Sequence, residues 1–204
     1  MKRSLLILSF IASLLTFSPL TQAKIIQQAH ITTPGFYLGV QGGVSFAGYK
    51  SHLASGYVAN AVHTFGVATR VYAGFDFNRY FGTEFSVSFS HMPHFINVNG
   101  GDSHKIKNNV IYIAAKGQYP FTNRLAANAI LGLAYVVRSG VIIQAVPVLP
   151  DKEIATLVYG LGLSYLVGVR WAVDLTWFQA AKKSTWRLPC SNFVGIGIHY
   201  KFAA

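Results

Sequence analysis

Histidine, serine and cysteine, the residue types that most often bind metals or attack substrates, occur in this sequence without the spacing that either chemistry needs. Imidazole is a good ligand for zinc and copper, but no two histidines lie two residues apart or in an HExxH pattern beside a cysteine or carboxylate cluster. The sequence therefore predicts no metal site and no cofactor. The candidate metal ligands among the histidines are His52, His63, His91, His94 and His104.

Nucleophilic catalysis needs a nucleophile with a base in hydrogen-bonding reach. Ser90 and His91 are adjacent, so on a strand their side chains point to opposite faces. Cys190 precedes Ser191 and has no histidine or acid beside it. These residues predict that the chain is not an enzyme.

The N-terminus has the pattern of an export signal. Lys2 and Arg3 precede an apolar run at 5–15, Pro19 ends it, and Thr21-Gln22-Ala23 supplies a small-x-small cleavage pattern. The run is shorter than the roughly 20 residues that a membrane-spanning helix needs. We expect residues 1–23 to be a signal peptide cleaved after Ala23, and residues 24–204 to form one domain.

The composition is unusual for a soluble protein and also for a helical membrane protein. Charged residues make up 11% of the chain and hydrophobic ones 52%, whereas soluble domains carry about 25% charged residues. After the signal, no uncharged apolar run reaches the roughly 18 residues of a spanning helix. Only helices and closed barrels satisfy their backbone hydrogen bonds within lipid. The composition therefore predicts a β-barrel.

Strict alternation of bulky apolar residues with small or polar ones identifies the strands. In the last strand, Val194, Ile196 and Ile198 alternate with Gly195 and Gly197. A barrel of eight strands has room only for side chains that fill it, so the small and polar face belongs inside and the bulky face against lipid. A soluble lipocalin-like barrel would have the opposite arrangement. The predicted strands are 36–46, 65–77, 81–91, 110–121, 125–138, 157–167, 171–178 and 192–202.

The connections also alternate. Three short turns, at 78–80, 122–124 and 168–170, separate four longer segments at 48–64, 92–109, 139–156 and 179–191. Bacterial barrels have short periplasmic turns and longer extracellular loops. Ten aromatic residues near the short turns predict a girdle at the periplasmic interface: Phe75, Phe77, Tyr80, Phe81, Tyr119, Phe121, Tyr165, Trp171, Tyr200 and Phe202. The predicted fold is all-β, an eight-stranded antiparallel transmembrane barrel with up-and-down topology in the bacterial outer membrane.

Three segments carry a family resemblance: GFYLGVQGGVSF at 35–46, FDFNRYFGTEFSVSF at 75–89 and FVGIGIHYKF at 193–202. They resemble the small OmpA-like barrels, and most of all the opacity-type surface antigens. The resemblance covers most of the chain after the signal. It implies a surface protein, antigen-like or adhesin-like, assembled by periplasmic chaperones and the barrel assembly machinery.

Eight ionisable side chains fall on the predicted inner face, where an unpaired charge is costly. We expect Glu84 to pair with Lys116, and Asp174 with Lys201, because each pair lies at a similar height on adjacent strands. The network is either a sealed structural core or, as the resemblance to OmpA suggests, a gate across a small pore. The inward charges are Arg70, Asp76, Glu84, Lys116, Arg138, Asp174, His199 and Lys201.

Two of the longer segments contain candidate contact residues. Lys182, Lys183 and Arg187 are basic and would attract lipopolysaccharide phosphates or anionic host surfaces. Val141, Ile142 and Ile143 begin a mostly apolar segment, which is typical of a protein-contact surface, or else extends the neighbouring strands. An exported barrel has no access to nucleic acid, so no such partner is predicted.

The predicted function is therefore an envelope barrel that presents four extracellular loops. The alternatives are a small low-conductance pore and, third, a barrel enzyme that modifies lipid A.

Overall fold

The computed structural model describes residues 31, 33–47, 59–62, 65–98, 104–138, 141–143, 146–149, 152–181 and 190–202. For 59–62, 91–98, 104–108, 141–143, 146–149 and 152 it describes the backbone path only. The predicted signal peptide and the basic residues Lys182, Lys183 and Arg187 lie outside this part of the chain.

Antiparallel pairing along the chain, closed between the first and last strands, joins eight of the described strands into a barrel. The strands are β1 (Gly35–Ala47), β2 (Ala59–Val62), β3 (Phe65–Asp76), β4 (Phe81–Val98), β5 (His104–Pro120), β6 (Leu125–Arg138), β7 (Val141–Ile143), β8 (Val146–Leu149), β9 (Lys152–Leu166), β10 (Trp171–Ala180) and β11 (Ser191–Lys201). The barrel strands are β1, β3, β4, β5, β6, β9, β10 and β11. The predicted eight-stranded fold is confirmed.

Strands β4 and β5 are longer than predicted. They continue to Val98 and begin at His104, with a register irregularity between Met92 and His94, and the short β2 pairs with this extension. The sequence there lacks clean alternation, which is why it predicts a loop at 92–109. A paired sheet continuing beyond the lipid needs no apolar face, so alternation does not mark it.

Side-chain burial follows the predicted alternation. In β3, Arg70 and Tyr72 are buried while Val67, Val71 and Phe75 are exposed. The ring of aromatic side chains near the short turns also points outward. No helix in the described part of the chain is long and apolar enough to cross a membrane.

Candidate functional site: the filled lumen and its two ends

Arg70 is at the centre of the lumen and is 1% exposed. Its guanidinium donates to Gln41 Oε1 at 2.7 Å, to Ser86 Oγ at 2.8 Å, and to Glu84 and the hydroxyl of Tyr112. Because guanidinium carries five donors in a rigid fork, one arginine joins β1, β3, β4 and β5.

Glu84 therefore pairs with Arg70, and the predicted Glu84–Lys116 pair is wrong. Lys116 lies opposite Gly82 in the register, whereas Glu84 lies opposite Ala114. Lys116 instead binds Asp76 at 3.0 Å. Two charged residues at a similar height on adjacent strands need not pair, because long side chains also reach diagonally. Lys116 reaches Asp76 past Gly82 on the strand between them.

The second predicted pair, Asp174–Lys201, is also wrong. Lys201 binds the other oxygen of Asp76 at 2.6 Å. Asp174 accepts hydrogen bonds from Tyr72 and, at 2.6 Å, from Ser164 Oγ, and it contacts His199 Nδ1 at 2.6 Å. The structure places all five proposed network residues inside but divides them into an Arg70–Glu84 group, an Asp76 group and an Asp174 group.

Tyr72 connects opposite parts of the wall, since it starts on β3 and reaches Asp174 on β10. Gln41 on β1 donates to Thr176 on β10 at 3.0 Å and so bridges β11, the one strand between them. Both bonds join strands that are not paired with each other, and their side chains fill the lumen. A cavity of about 20 Å³ lies beside these bonds, lined among others by Tyr72, Asp174 and His199, and has space for about one or two waters.

Toward the longer connections, the lumen contains a cluster of packed apolar side chains, together with the buried Ser88, Ser90 and Arg138. The rings of Phe178 and Phe193 stack at 5.1 Å, and Tyr112 meets Phe178 at 5.3 Å. Val110, Val136 and Val158 are no more than 2% exposed and belong to the same cluster. The outer face is bulky and apolar as predicted, but the inner face also holds large apolar side chains that the predicted small and polar face did not include. The sequence does indicate this, because these residues occupy the alternate positions of their strands that face the lumen.

At the opposite, periplasmic mouth lies Ile31, which precedes β1. Ile31 is buried against Ala126, Leu166 and Ala172, which begin or end strands across the mouth from β1. Its N–H donates to Asn123 O at 2.9 Å and its carbonyl accepts from Lys201 Nζ at 3.2 Å. Gly35, with φ 146°, allows the backbone to turn from this crossing into β1.

Ser164, Asp174 and His199 bring a serine, an acid and a histidine together, yet not in catalytic order. The serine hydroxyl donates to the carboxylate, whereas an activated serine bonds the imidazole, which the acid then orients. The trio is buried in the periplasmic half of the lumen, two or three residues from the ends of β9, β10 and β11, rather than on the outer rim, where a lipid A-modifying enzyme would need it. The cavity beside it is too small for a lipid.

The other candidate residues lie at the extracellular end. Val141, Ile142 and Ile143 form β7, which pairs with β8 in a separate two-stranded sheet, while β6 and β9 stay paired up to Arg138 and Lys152. His52 and His63 lie outside the described residues, and His91, His94 and His104 lie on the long β4–β5 hairpin. Within the described residues, no group of three or more His, Cys, Asp or Glu side chains is placed to hold a metal ion.

A closed antiparallel barrel with an apolar outside, a filled interior and alternating short and long connections is the architecture of a small outer-membrane barrel. A sequence profile of the outer membrane protein beta-barrel domain family matches residues 10–202. The chain belongs to this family, and its location is the bacterial outer membrane. No curated protein sequence matches the chain.

Solved structures of small outer-membrane barrels resemble this fold. Neisserial surface protein A (NspA) is 16% identical, with 82% of this chain and 97% of that chain covered and a TM-score of 0.58. Ail, the attachment invasion locus protein of Yersinia pestis, is 12% identical, with 83% and 99% covered and a TM-score of 0.58. OprG from Pseudomonas aeruginosa is 12% identical, with 84% and 98% covered and a TM-score of 0.55. At these identities the likeness concerns the fold.

Proposed function

We propose that this protein is an adhesin-like or antigen-like surface protein that presents its extracellular segments on a closed barrel and binds anionic polymers through them. The filled lumen is the observation that carries the proposal: side-chain bonds between strands that are not paired with each other, and the apolar cluster above them, occupy it, and the cavity beside Asp174 and His199 has room for about one or two waters. A lumen filled in this way favours a role for the extracellular segments over transport through the barrel.

The charge of the chain favours an anionic ligand. Lys and Arg outnumber Asp and Glu by 17 to 6, and Lys182, Lys183 and Arg187 are concentrated between β10 and β11. The Ail barrel was solved in complex with the heparin analogue sucrose octasulfate. That ligand belongs to Ail; here it supports testing sulfated and phosphorylated polymers, including lipopolysaccharide.

The binding test compares the refolded protein with the triple variant Lys182→Gln, Lys183→Gln, Arg187→Gln on immobilised heparin. We expect about tenfold weaker binding by the variant, equivalent to about 1.4 kcal/mol, and weaker binding by both proteins as salt is raised. The matched control is Arg79→Gln, Arg124→Gln, Arg170→Gln, which removes equal charge from the opposite end. Equal losses in both variants would show that only net charge matters and would contradict the proposal.

The pore alternative is tested in a planar bilayer. Folded protein, verified by the mobility difference between boiled and unboiled samples, is expected to give no unit conductance. Reproducible conductance would replace the scaffold proposal with a pore and make the inner charges a gate.

Three further parts of the proposal have their own tests. Export with cleavage after Ala23 predicts a mature protein that begins at Lys24, measurable by mass spectrometry, and assembly would require periplasmic chaperones and the barrel assembly machinery.

A contact role for Val141–Ile143 predicts weaker cell adhesion or a changed oligomeric state when residues 141–148 are deleted. Incubation with lipid A is expected to leave it unmodified, since the protein is proposed not to be an enzyme.

A further inference from the structure

The three short turns at 77–80, 121–124 and 167–170 share one backbone geometry. In each turn the first N–H donates to the carbonyl of the residue that begins the next strand, at 2.9 Å. The last carbonyl of each turn accepts an N–H from a neighbouring strand; the three bonds are Gln118 N–H to Tyr80 O at 2.7 Å, Leu166 N–H to Arg124 O at 2.8 Å and Lys201 N–H to Arg170 O at 2.8 Å. The turns are therefore fixed positions on the barrel rim.

Each turn carries one exposed arginine: Arg79, Arg124 and Arg170. None of the three forms an ion pair with a described residue, and the three turns contain no acidic residue. Because β4 neighbours β5 and β6 neighbours β9, the three turns follow one another around the rim. We call these three side chains the arginine rim.

Aromatic side chains place the arginine rim at the membrane interface. The Arg79 guanidinium lies 4.9 Å from the centre of the Tyr80 ring, and Arg170 Nη1 donates to the Tyr200 hydroxyl at 2.9 Å. Tyr200 in turn packs against Trp171 at 5.0 Å. Tyrosine and tryptophan at strand ends lie at headgroup level, so the guanidinium groups lie at the level of the lipid phosphates.

We propose that the arginine rim binds the headgroups of anionic glycerophospholipids in the periplasmic leaflet. Guanidinium matches phosphate with two parallel hydrogen bonds, and a cation near an anionic membrane surface favours its lipid by about fivefold. The acids near this end are not available to compete, since Asp76 faces the lumen and binds two lysines. The proposal is independent of what the extracellular segments bind.

Trp171 offers a local test beside Arg170. The chain has three tryptophans, so Trp177→Phe and Trp186→Phe leave Trp171 as the only reporter. Its fluorescence is measured in phosphatidylcholine vesicles that contain a minor fraction of brominated phosphatidylglycerol, then in vesicles where phosphatidylcholine is the brominated lipid at the same fraction. We expect stronger quenching by phosphatidylglycerol, corresponding to about fivefold local enrichment.

Arg170→Gln in this background should abolish the enrichment, and the matched variant Lys183→Gln should retain it. Equal quenching by the two lipids in the parent protein would overturn the proposal, as would enrichment that survives Arg170→Gln. Inorganic phosphate should reduce the enrichment no more than sodium chloride at the same ionic strength does; a larger reduction by phosphate would show that the rim recognises free phosphate and that the lipid assignment is wrong.

The whole rim is tested with Arg79→Gln, Arg124→Gln, Arg170→Gln against Lys182→Gln, Lys183→Gln, Arg187→Gln. The readout is the ratio of phosphatidylglycerol to phosphatidylcholine retained by the folded barrel in native mass spectrometry. We expect the first variant to lose the preference and the second to keep it. Equal loss in both would mean that net charge attracts the lipid, and no loss in either would mean that the rim does not bind it; both results overturn the proposal. Gel mobility before boiling verifies folding.

Discussion

Asp76 and Lys116 lie on strands that are not paired with each other, and their side chains meet at 3.0 Å across Gly82 on the strand between them. Gly82 is the register partner of both residues. A Cβ at position 82 would lie 2.7 Å from Asp76 Oδ1. This ion pair therefore depends on the absence of a side chain from the intervening strand.

Gly82→Ala is expected to lower the free energy of unfolding by about 1–3 kcal/mol, because overpacking forces the carboxylate and the backbone near Phe75 to shift. Urea unfolding in lipid vesicles measures the change. The control is Gly117→Ala, since nothing lies within 4 Å of a Cβ there. That variant should be neutral or slightly stabilising, as alanine loses less conformational entropy than glycine. Equal effects at both positions would refute the role of Gly82.

Glu84→Gln is expected to destabilise the barrel without opening it. The substitution leaves the Arg70 guanidinium buried without its anionic partner, and breaking a buried ion pair costs about 3–5 kcal/mol. The remaining bonds of Arg70 to Gln41 and Ser86, and the apolar cluster above them, still fill the lumen.

The measurements for Glu84→Gln are urea unfolding and single-channel recording of the same refolded sample. Glu153→Gln is the control, because that carboxylate is exposed and accepts a hydrogen bond from Tyr135. Unit conductance from Glu84→Gln alone would indicate that the polar side chains of the lumen are the only barrier and would favour a gate.

Alternation predicted the inward or outward direction of side chains well, because lipid on one face and a narrow lumen on the other leave each position one suitable environment. It did not predict partners. Arg70 reaches Glu84 although its register partner on that strand is Ser88. The partner of a long, flexible side chain depends on which groups the other strands of the closed barrel bring near it, and a single strand's sequence does not contain that information. The burial of Ile31 had no signal in the sequence, because it depends on where the chain crosses the mouth.

Phe178→Ala tests the apolar cluster. Phe178 is 1% exposed and contacts Phe193 and Tyr112, so its removal should lower the unfolding free energy by about 3–5 kcal/mol. Phe85→Ala is the matched control, because Phe85 is 50% exposed on the outer face, where lipid fills the vacated space. Similar losses in the two variants would argue against a tightly packed upper lumen.

Ile31→Asp should open the periplasmic mouth. A carboxylate among Ala126, Leu166 and Ala172 is costly to bury, and the nearby Lys201 ammonium is already paired with Asp76. Residue 31 should therefore leave the mouth and release its bonds to Asn123 and Lys201. Accessibility is measured with Ser164→Cys in a Cys190→Ser background, which gives one buried lumen thiol. We expect a small charged methanethiosulfonate to label this thiol much faster in the Ile31→Asp protein than in the parent. Ile31→Val keeps an apolar side chain and should label as slowly as the parent. If the aspartate variant also labels slowly while folded, the polar side chains of the lumen alone exclude the reagent and Ile31 does not seal the lumen.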